Sequence, residues 1–225
     1  MRKIPAKFEN PIDNVIISHI DGIQPHFFKL GFTPNGLTTI SLVCHLISMY
    51  FFVNNQEYST VYSVIFFIIS YYFDCLDGHF ARSHNMVTRF GDYYDHISDW
   101  FKVALFIWLI YTHFKSYYYA SLVVLFIFAL LSTIHLSCQE CYYGHHTNTL
   151  YFLQYICPTN YFNIKIDKCL NITKYTGCGT YVLISILILI YVKTQPKPNP
   201  NPTQTQTQTQ SNINPTPTHC EIAIQ

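Results

Sequence analysis

The chain has 225 residues, of which 50% are hydrophobic, 17% aromatic and only 11% charged. Soluble domains carry roughly 25% charged residues, so the composition excludes an ordinary soluble enzyme. The formal net charge of +1 gives no bulk attraction for nucleic acid, and no nucleic-acid partner is expected.

Residues 1–35 read as a juxtamembrane segment that opens with the basic residues Arg2, Lys3 and Lys7. No apolar stretch at the start has the form of a cleavable signal peptide. From Pro11 to Lys29, Ile12, Val15, Ile16, Ile20, Ile23 and Phe27 recur at helical spacing. This predicts an amphipathic helix, lying in the membrane interface or packed on the domain's own polar face, with a break at Pro25. The stretch Thr33-Pro34-Asn35-Gly36 has turn chemistry, and Thr38 and Thr39 follow at the mouth of the first apolar run.

Five apolar runs follow, near Leu37–Val53, Tyr58–Phe73, Asp95–Thr112, Tyr119–Leu136 and Thr180–Val192. Crossing a hydrocarbon core of about 30 Å takes about 20 apolar residues as a helix. The expected fold is therefore all-α, a polytopic transmembrane helix bundle of five to six spans. The brief run Leu150–Ile156 reads as interfacial or re-entrant. From Gln195 the chain turns to Pro, Asn and Thr-Gln repeats, a composition expected to give a disordered C-terminal tail. The expected domains are 1–35 (juxtamembrane), 36–194 (membrane domain) and 195–225 (tail).

Basic residues set the orientation. The N-terminal segment and the Arg82 and Arg89 loop should face the cytoplasm, with Lys115 on the other side. Five spans then put the tail opposite the N-terminus, and six put it in the cytoplasm. The eight cysteines are scattered. Cys138 and Cys141 form a lone CxxC pair, which as a zinc site would need further ligands. The plain reading is two thiols at a helix end. The sequon at Asn171 matters only if its loop is lumenal.

The residues that carry chemistry join the second and third runs. Asp74 and Asp77 are three apart and Asp95 and Asp99 four apart, so each pair shares one face of its helix. Consecutive antiparallel helices bring the four carboxylates to one depth, where like charges repel and acids in spans are costly and functional. All-oxygen ligation of Mg²⁺ or Mn²⁺ relieves this, and four carboxylates suit two ions roughly 3.5–4 Å apart. Gly78 and Gly91 allow close backbone approach, and Arg82 offers a fork for phosphate oxygens. Helix capping and pairing with Arg82 and Arg89 would account for two of the acids, not for four. Asp92 reads as an acid at a helix N-terminus, and His79 and His84 as solvated.

The run Asp74-x2-Asp77-Gly78-x2-Ala81-Arg82-x8-Gly91-x3-Asp95-x3-Asp99 resembles the signature of the class-I CDP-alcohol phosphatidyltransferase family at every fixed position. The resemblance implies a membrane enzyme that moves a phospho-alcohol or phosphatidyl group from a CDP-linked donor to a lipid or alcohol acceptor, releasing CMP. It implies that Asp74, Asp77 and Asp95 hold a metal pair, and that Asp99 is both a ligand and the general base. It also implies that Gly78, Arg82, Thr88 and Gly91 attend the donor. Pro34-Asn35-Gly36-Leu37-Thr38 resembles the stretch before the family's first span, which makes Asn35 and Thr38 candidates for the nucleotide site, with helix N-capping as the alternative. His96, His135 and Glu140 are candidates for the acceptor side or proton transfer. Enzymes of this family often form dimers, so a homodimer is expected.

Asp95-His96 and His146-Thr147-Asn148-Thr149-Leu150-Tyr151 resemble the choline and ethanolamine phosphotransferases, although Asn148 stands where that group has Gly and its Trp-Glu pair has no counterpart here. The expected reaction is CDP-choline or CDP-ethanolamine with diacylglycerol. The alternative is a CDP-diacylglycerol-dependent enzyme like phosphatidylinositol synthase, to which the chain is closer in length. The expected location is the endoplasmic reticulum or a related endomembrane, with the site facing the cytoplasm. A non-enzymatic scaffold or transporter would spread its acids over several spans.

Overall fold

The computed structural model describes residues 2–144 and 149–195, which are helical throughout with no strand among them. The tail beyond 195 and His146, Thr147 and Asn148 of the His146–Tyr151 stretch lie outside these residues, as does Cys220. Seven α-helices follow in order: α1 (Pro11–Lys29), α2 (Pro34–Val53), α3 (Ser59–Ser83), α4 (Arg89–His113), α5 (Tyr118–Tyr143), α6 (Ile166–Thr173) and α7 (Cys178–Thr194). Short 3₁₀ turns join them, including one at Thr149–Ile156.

Among the described residues four segments are long and apolar enough to cross a membrane: α2, α3, Lys115–Tyr143 around α5, and Ile166–Thr194 ending in α7. The fifth long helix, α4, has 25 residues but carries the acids. The Thr149–Ile156 turn and α6 have eight residues each, about 12–16 Å of rise, too short to span. Large apolar side chains such as Val43, Leu46, Ile65, Ile68, Phe126, Ile127 and Leu130 are left exposed, as a lipid-facing belt requires.

The core fills the half of the bundle away from the acids. Met49 and Phe52 of α2 meet Phe67 of α3, Phe106, Leu109 and Ile110 of α4, and Leu189 and Val192 of α7. At that end the Lys193 ammonium donates to the carbonyls of Phe51, Phe52 and Asn54. It thereby caps the C-terminus of α2, whose last carbonyls have no partner within the helix. The chain thus reaches residue 195 at the end of the bundle opposite the acids. Serines let α2 and α3 approach closely: Ser48 Oγ donates to the Ser63 carbonyl at 2.7 Å and Ser63 Oγ returns the bond at 2.9 Å.

The N-terminal helix packs on the acid end, with Ile20 buried against Leu37, Leu76 and Phe80. It runs through Pro25 without the expected break. Proline removes one backbone bond and crowds the preceding turn, yet the turn beyond it is anchored. Phe27 packs edge-on to Phe73, and Phe28 stacks on His84 with ring centres 4.0 Å apart. Asn10 caps α1 by accepting from Ile12 N at 3.0 Å and ties it to α7 through Thr180 Oγ1 at 2.8 Å.

Candidate active site

The α3–α4 hairpin sets the acids level. Asp74 lies nine residues before the end of α3 and Asp99 ten after the start of α4, about 14–15 Å from the connection in each case. The five-residue connection is closed by Asn85 in the left-handed region, at φ 56°, which asparagine tolerates better than most residues. Thr88 then caps α4, its Oγ1 accepting from Gly91 N at 3.0 Å.

Carboxylate oxygens of Asp74, Asp77 and Asp95 lie within 4.8 Å of one another, as do ligand atoms of Asp95, His96 and Asp99. Thr38 Oγ1 donates to Asp77 Oδ2 at 2.6 Å. Lys102 Nζ stands 2.5 Å from Asp74 Oδ1 and 2.8 Å from Asp99 Oδ1, with Ser41 Oγ at 3.2 Å. The buried Asp95 Oδ1 has no hydrogen-bond partner. Hard oxygen donors at this spacing, one of them orphaned, fit Mg²⁺ or Mn²⁺.

The acids stand between two cavities. The more polar one, of about 240 Å³, is lined by Asp77 and Asp95 with Asn35, Thr38, Gly78, Arg82, Thr88, Gly91, His96 and Glu140, and also by apolar groups such as Met86, Val87 and Leu136. A second, of about 180 Å³, is mostly apolar. Asp74, Asp99 and Lys102 line it with Phe67, Phe106, Tyr181 and Val182. Arg82 lies among Asp77, Asp95, Glu9 and Tyr143, and its guanidinium passes 3.1 Å from where a side chain on Gly78 would begin. At Gly91 a Cβ would fall 2.9 Å from Asn35 Oδ1, so a side chain there would displace the Asn35 amide from its place beside α4. Outside the spans, burial pushes the Glu9 carboxyl up to about 7, with the neighbouring Asp13 carboxylate adding to the shift. Burial raises Asp13 as well.

Residues 32–195 match the family model described as CDP-alcohol phosphatidyltransferase. The chain belongs to that family. Its four long apolar segments suit a membrane member of that family. It is 30% identical over 100 residues to the archaetidylinositol phosphate synthase of Pyrococcus horikoshii, a match covering 44% of this chain and 47% of the relative. The chain thus spans about half the length of that curated relative. No solved structure matches it.

Most of the residues expected at the site come together in the structure. The exception is His135, which lines neither cavity. Its ring bonds Thr173 Oγ1 at 2.9 Å and the Gln139 amide at 3.0 Å, inside the packing of α5 on α6. Glu140 is fully buried and pairs with Lys3. The capping role considered for Asn35 and Thr38 belongs to Thr33, which accepts from Gly36 N at 3.2 Å. His79 is buried, not solvated, and bonds Asp21 Oδ1 at 2.8 Å, because α1 covers that face of α3. Asp92 lies in the first turn of α4 and accepts from Thr149 N at 2.7 Å, with His96 Nε2 at 3.4 Å. Sequence reasoning missed Lys102 as the cation between Asp74 and Asp99. Its position three after Asp99 was the available signal.

Proposed function

We propose that the enzyme transfers a phospho-aminoalcohol from CDP-choline or CDP-ethanolamine to diacylglycerol, releasing CMP. The division of the acids between a polar and an apolar cavity carries this reading. The nucleotide would occupy the polar cavity, with Arg82 on its phosphates and Gly78 and Gly91 leaving room for the backbone to approach. Asp99 lines the apolar cavity, so the hydroxyl it deprotonates would arrive on an apolar molecule. This supports a lipid acceptor.

Asp74, Asp77, Asp95 and Asp99 would hold divalent metal. When bound, the metal supplies positive charge against the pyrophosphate and the departing CMP. Asp99 takes the acceptor proton as general base. Thr38 fixes the rotamer of Asp77, and Lys102 holds Asp74 and Asp99 toward each other. Alignment of donor and acceptor across the two cavities is the larger contribution from the protein. In this reading residues 36–194 form the catalytic domain and 1–35 the cytoplasmic juxtamembrane segment. The basic residues Arg2, Lys3, Lys7, Arg82 and Arg89 put the acid end in the cytoplasm, on an endomembrane such as the endoplasmic reticulum.

A second reading has a CDP-diacylglycerol donor and a polyol or polyol phosphate acceptor. The named activity of the Pyrococcus horikoshii relative favours it, and the apolar cavity would then take donor chains. The test is CMP release by purified full-length protein with Mg²⁺ or Mn²⁺. CDP-choline and CDP-ethanolamine with diacylglycerol are run beside CDP-diacylglycerol with inositol, inositol phosphate, serine or glycerol phosphate. CMP from the first set alone, abolished by Asp99→Asn, supports the primary reading. CMP from the second set alone replaces it with the second.

A further inference from the structure

Three cysteines meet away from the acids, with a fourth one helical turn from them. Cys138 and Cys141 stand about one turn apart near the C-terminal end of α5. Cys157 follows the Thr149–Ile156 turn and Cys169 lies in α6. Cys138 and Cys169 are paired as a disulfide. Cys157 Sγ lies 3.9 Å from Cys138 Sγ, and the Cys141 thiol donates to the Gln154 carbonyl at 3.6 Å, so it would have to turn to join them. The sulfurs of Cys138, Cys157 and Cys169 all fall within 4.8 Å of one another. They are buried in a small apolar cluster with Ile4, Phe8 and Leu170.

We propose that in the reduced chain these four sulfurs bind one Zn²⁺ as a closed tetrahedral thiolate site. The pattern is C-x2-C, then 15 residues, Cys157, 11 residues and Cys169. Two ligands come from one helix end and one from each of two other elements, as in structural zinc sites. Zn–S bonds of about 2.3 Å put tetrahedral sulfurs about 3.8 Å apart, the separation of Cys157 from Cys138. A disulfide uses two of the sulfurs and leaves two thiols beside it, whereas the metal uses all four. With the acid end in the cytoplasm, as read above, the site faces a compartment where thiols stay reduced. A cellular thiol reductant supplies two electrons and two protons to open the Cys138–Cys169 bond, and Zn²⁺ then displaces four protons. The ion would staple α5, α6 and the segment between them. Leu136, Glu140 and Tyr143, which line the polar cavity, alternate along α5 with the two cysteines, so the staple fixes one wall of that cavity.

The test is the metal content of full-length protein purified in detergent with a thiol reductant and no added metal. About one zinc per chain is expected. A mercurial reagent should release it as about four thiols are blocked, which needs no variant to fold. Cobalt-loaded protein should show thiolate-to-metal charge transfer and tetrahedral d–d absorption. Cys157→Ser and Cys169→Ser should lose both signals, and Cys44→Ser should keep them. Absence of zinc both as purified and after incubation with Zn²⁺ overturns the proposal. So does zinc that survives Cys157→Ser and Cys169→Ser but is lost in Asp77→Asn, since it would then belong to the acids. Neither result depends on CMP release, so the substrate reading stands or falls separately.

Discussion

The Lys102 ammonium lies 2.5 Å from Asp74 Oδ1 on α3 and 2.8 Å from Asp99 Oδ1 one turn earlier on α4. One cation therefore ties together the two acids that line the apolar cavity. Removing one partner of a buried ionic group costs about 3–5 kcal/mol. Lys102→Met should lower Tm in detergent by several degrees without divalent metal. Added Mn²⁺ should recover much of that loss, because a dication takes over the neutralising role. A loss that Mn²⁺ does not touch would show that Lys102 acts by packing alone.

Thr38→Val removes the 2.6 Å bond to Asp77 while keeping the shape of the side chain. CMP release should fall about tenfold, as expected for a charged hydrogen bond worth ~1.5 kcal/mol, and Thr38→Ser should restore most of it. Equal losses in Val and Ser would place the effect in the methyl group instead.

Gly91→Ala puts a carbon 2.9 Å from Asn35 Oδ1 and 3.1 Å from Thr88 Oγ1. Displacing the Asn35 amide and the Thr88 hydroxyl, which both line the cavity, should lower CMP release, and a displacement near 1 Å costs on the order of 10²-fold in rate. Pairing it with Asn35→Ala should relieve the clash. The double variant should therefore recover thermal stability relative to Gly91→Ala, a coupling measured as a double-mutant cycle. Strict additivity would count against the contact.

Glu9 gives a pH dependence with a definite sign. Its folded pKa of about 7 lies above the ordinary glutamate value of 4.5 because of burial and the nearby Asp13 carboxylate. The folded state holds the proton more tightly, so stability falls as pH rises from about 4.5 to about 7 and levels off above. The span corresponds to about 3 kcal/mol at most. Glu9→Gln should raise Tm at about pH 8 and leave it unchanged at about pH 4.5, read by thermal unfolding at both. A gain of the same size at both pH values would show that ionisation is not the cause.

The spacing Asp74, Asp77, Asp95, Asp99 carried its meaning in the sequence because helix periodicity alone fixes which side chains share a face. The hairpin of consecutive antiparallel helices then leaves the two pairs one arrangement, and the structure has it. His135 failed for the complementary reason. Its place near a span end put it at the right depth, but depth does not say which side of α5 faces the acids, and Thr173 lies on the side it faces. Pro25 failed because a local backbone rule was set aside by distant aromatic packing.

By itself, then, the sequence determined the helical class, the places of the main apolar runs, and the family signature. These depend on local periodicity, on hydrophobic length matched to the bilayer, and on fixed gaps between acids. Only the tertiary structure decided that Lys102 bridges Asp74 and Asp99, that Thr38 serves Asp77, that α1 buries His79, and that Cys157 and Cys169 join the Cys138–Cys141 pair. Each of these depends on helix rotation and on contacts between residues far apart in the chain. Side-chain packing sets both, and no single segment encodes it.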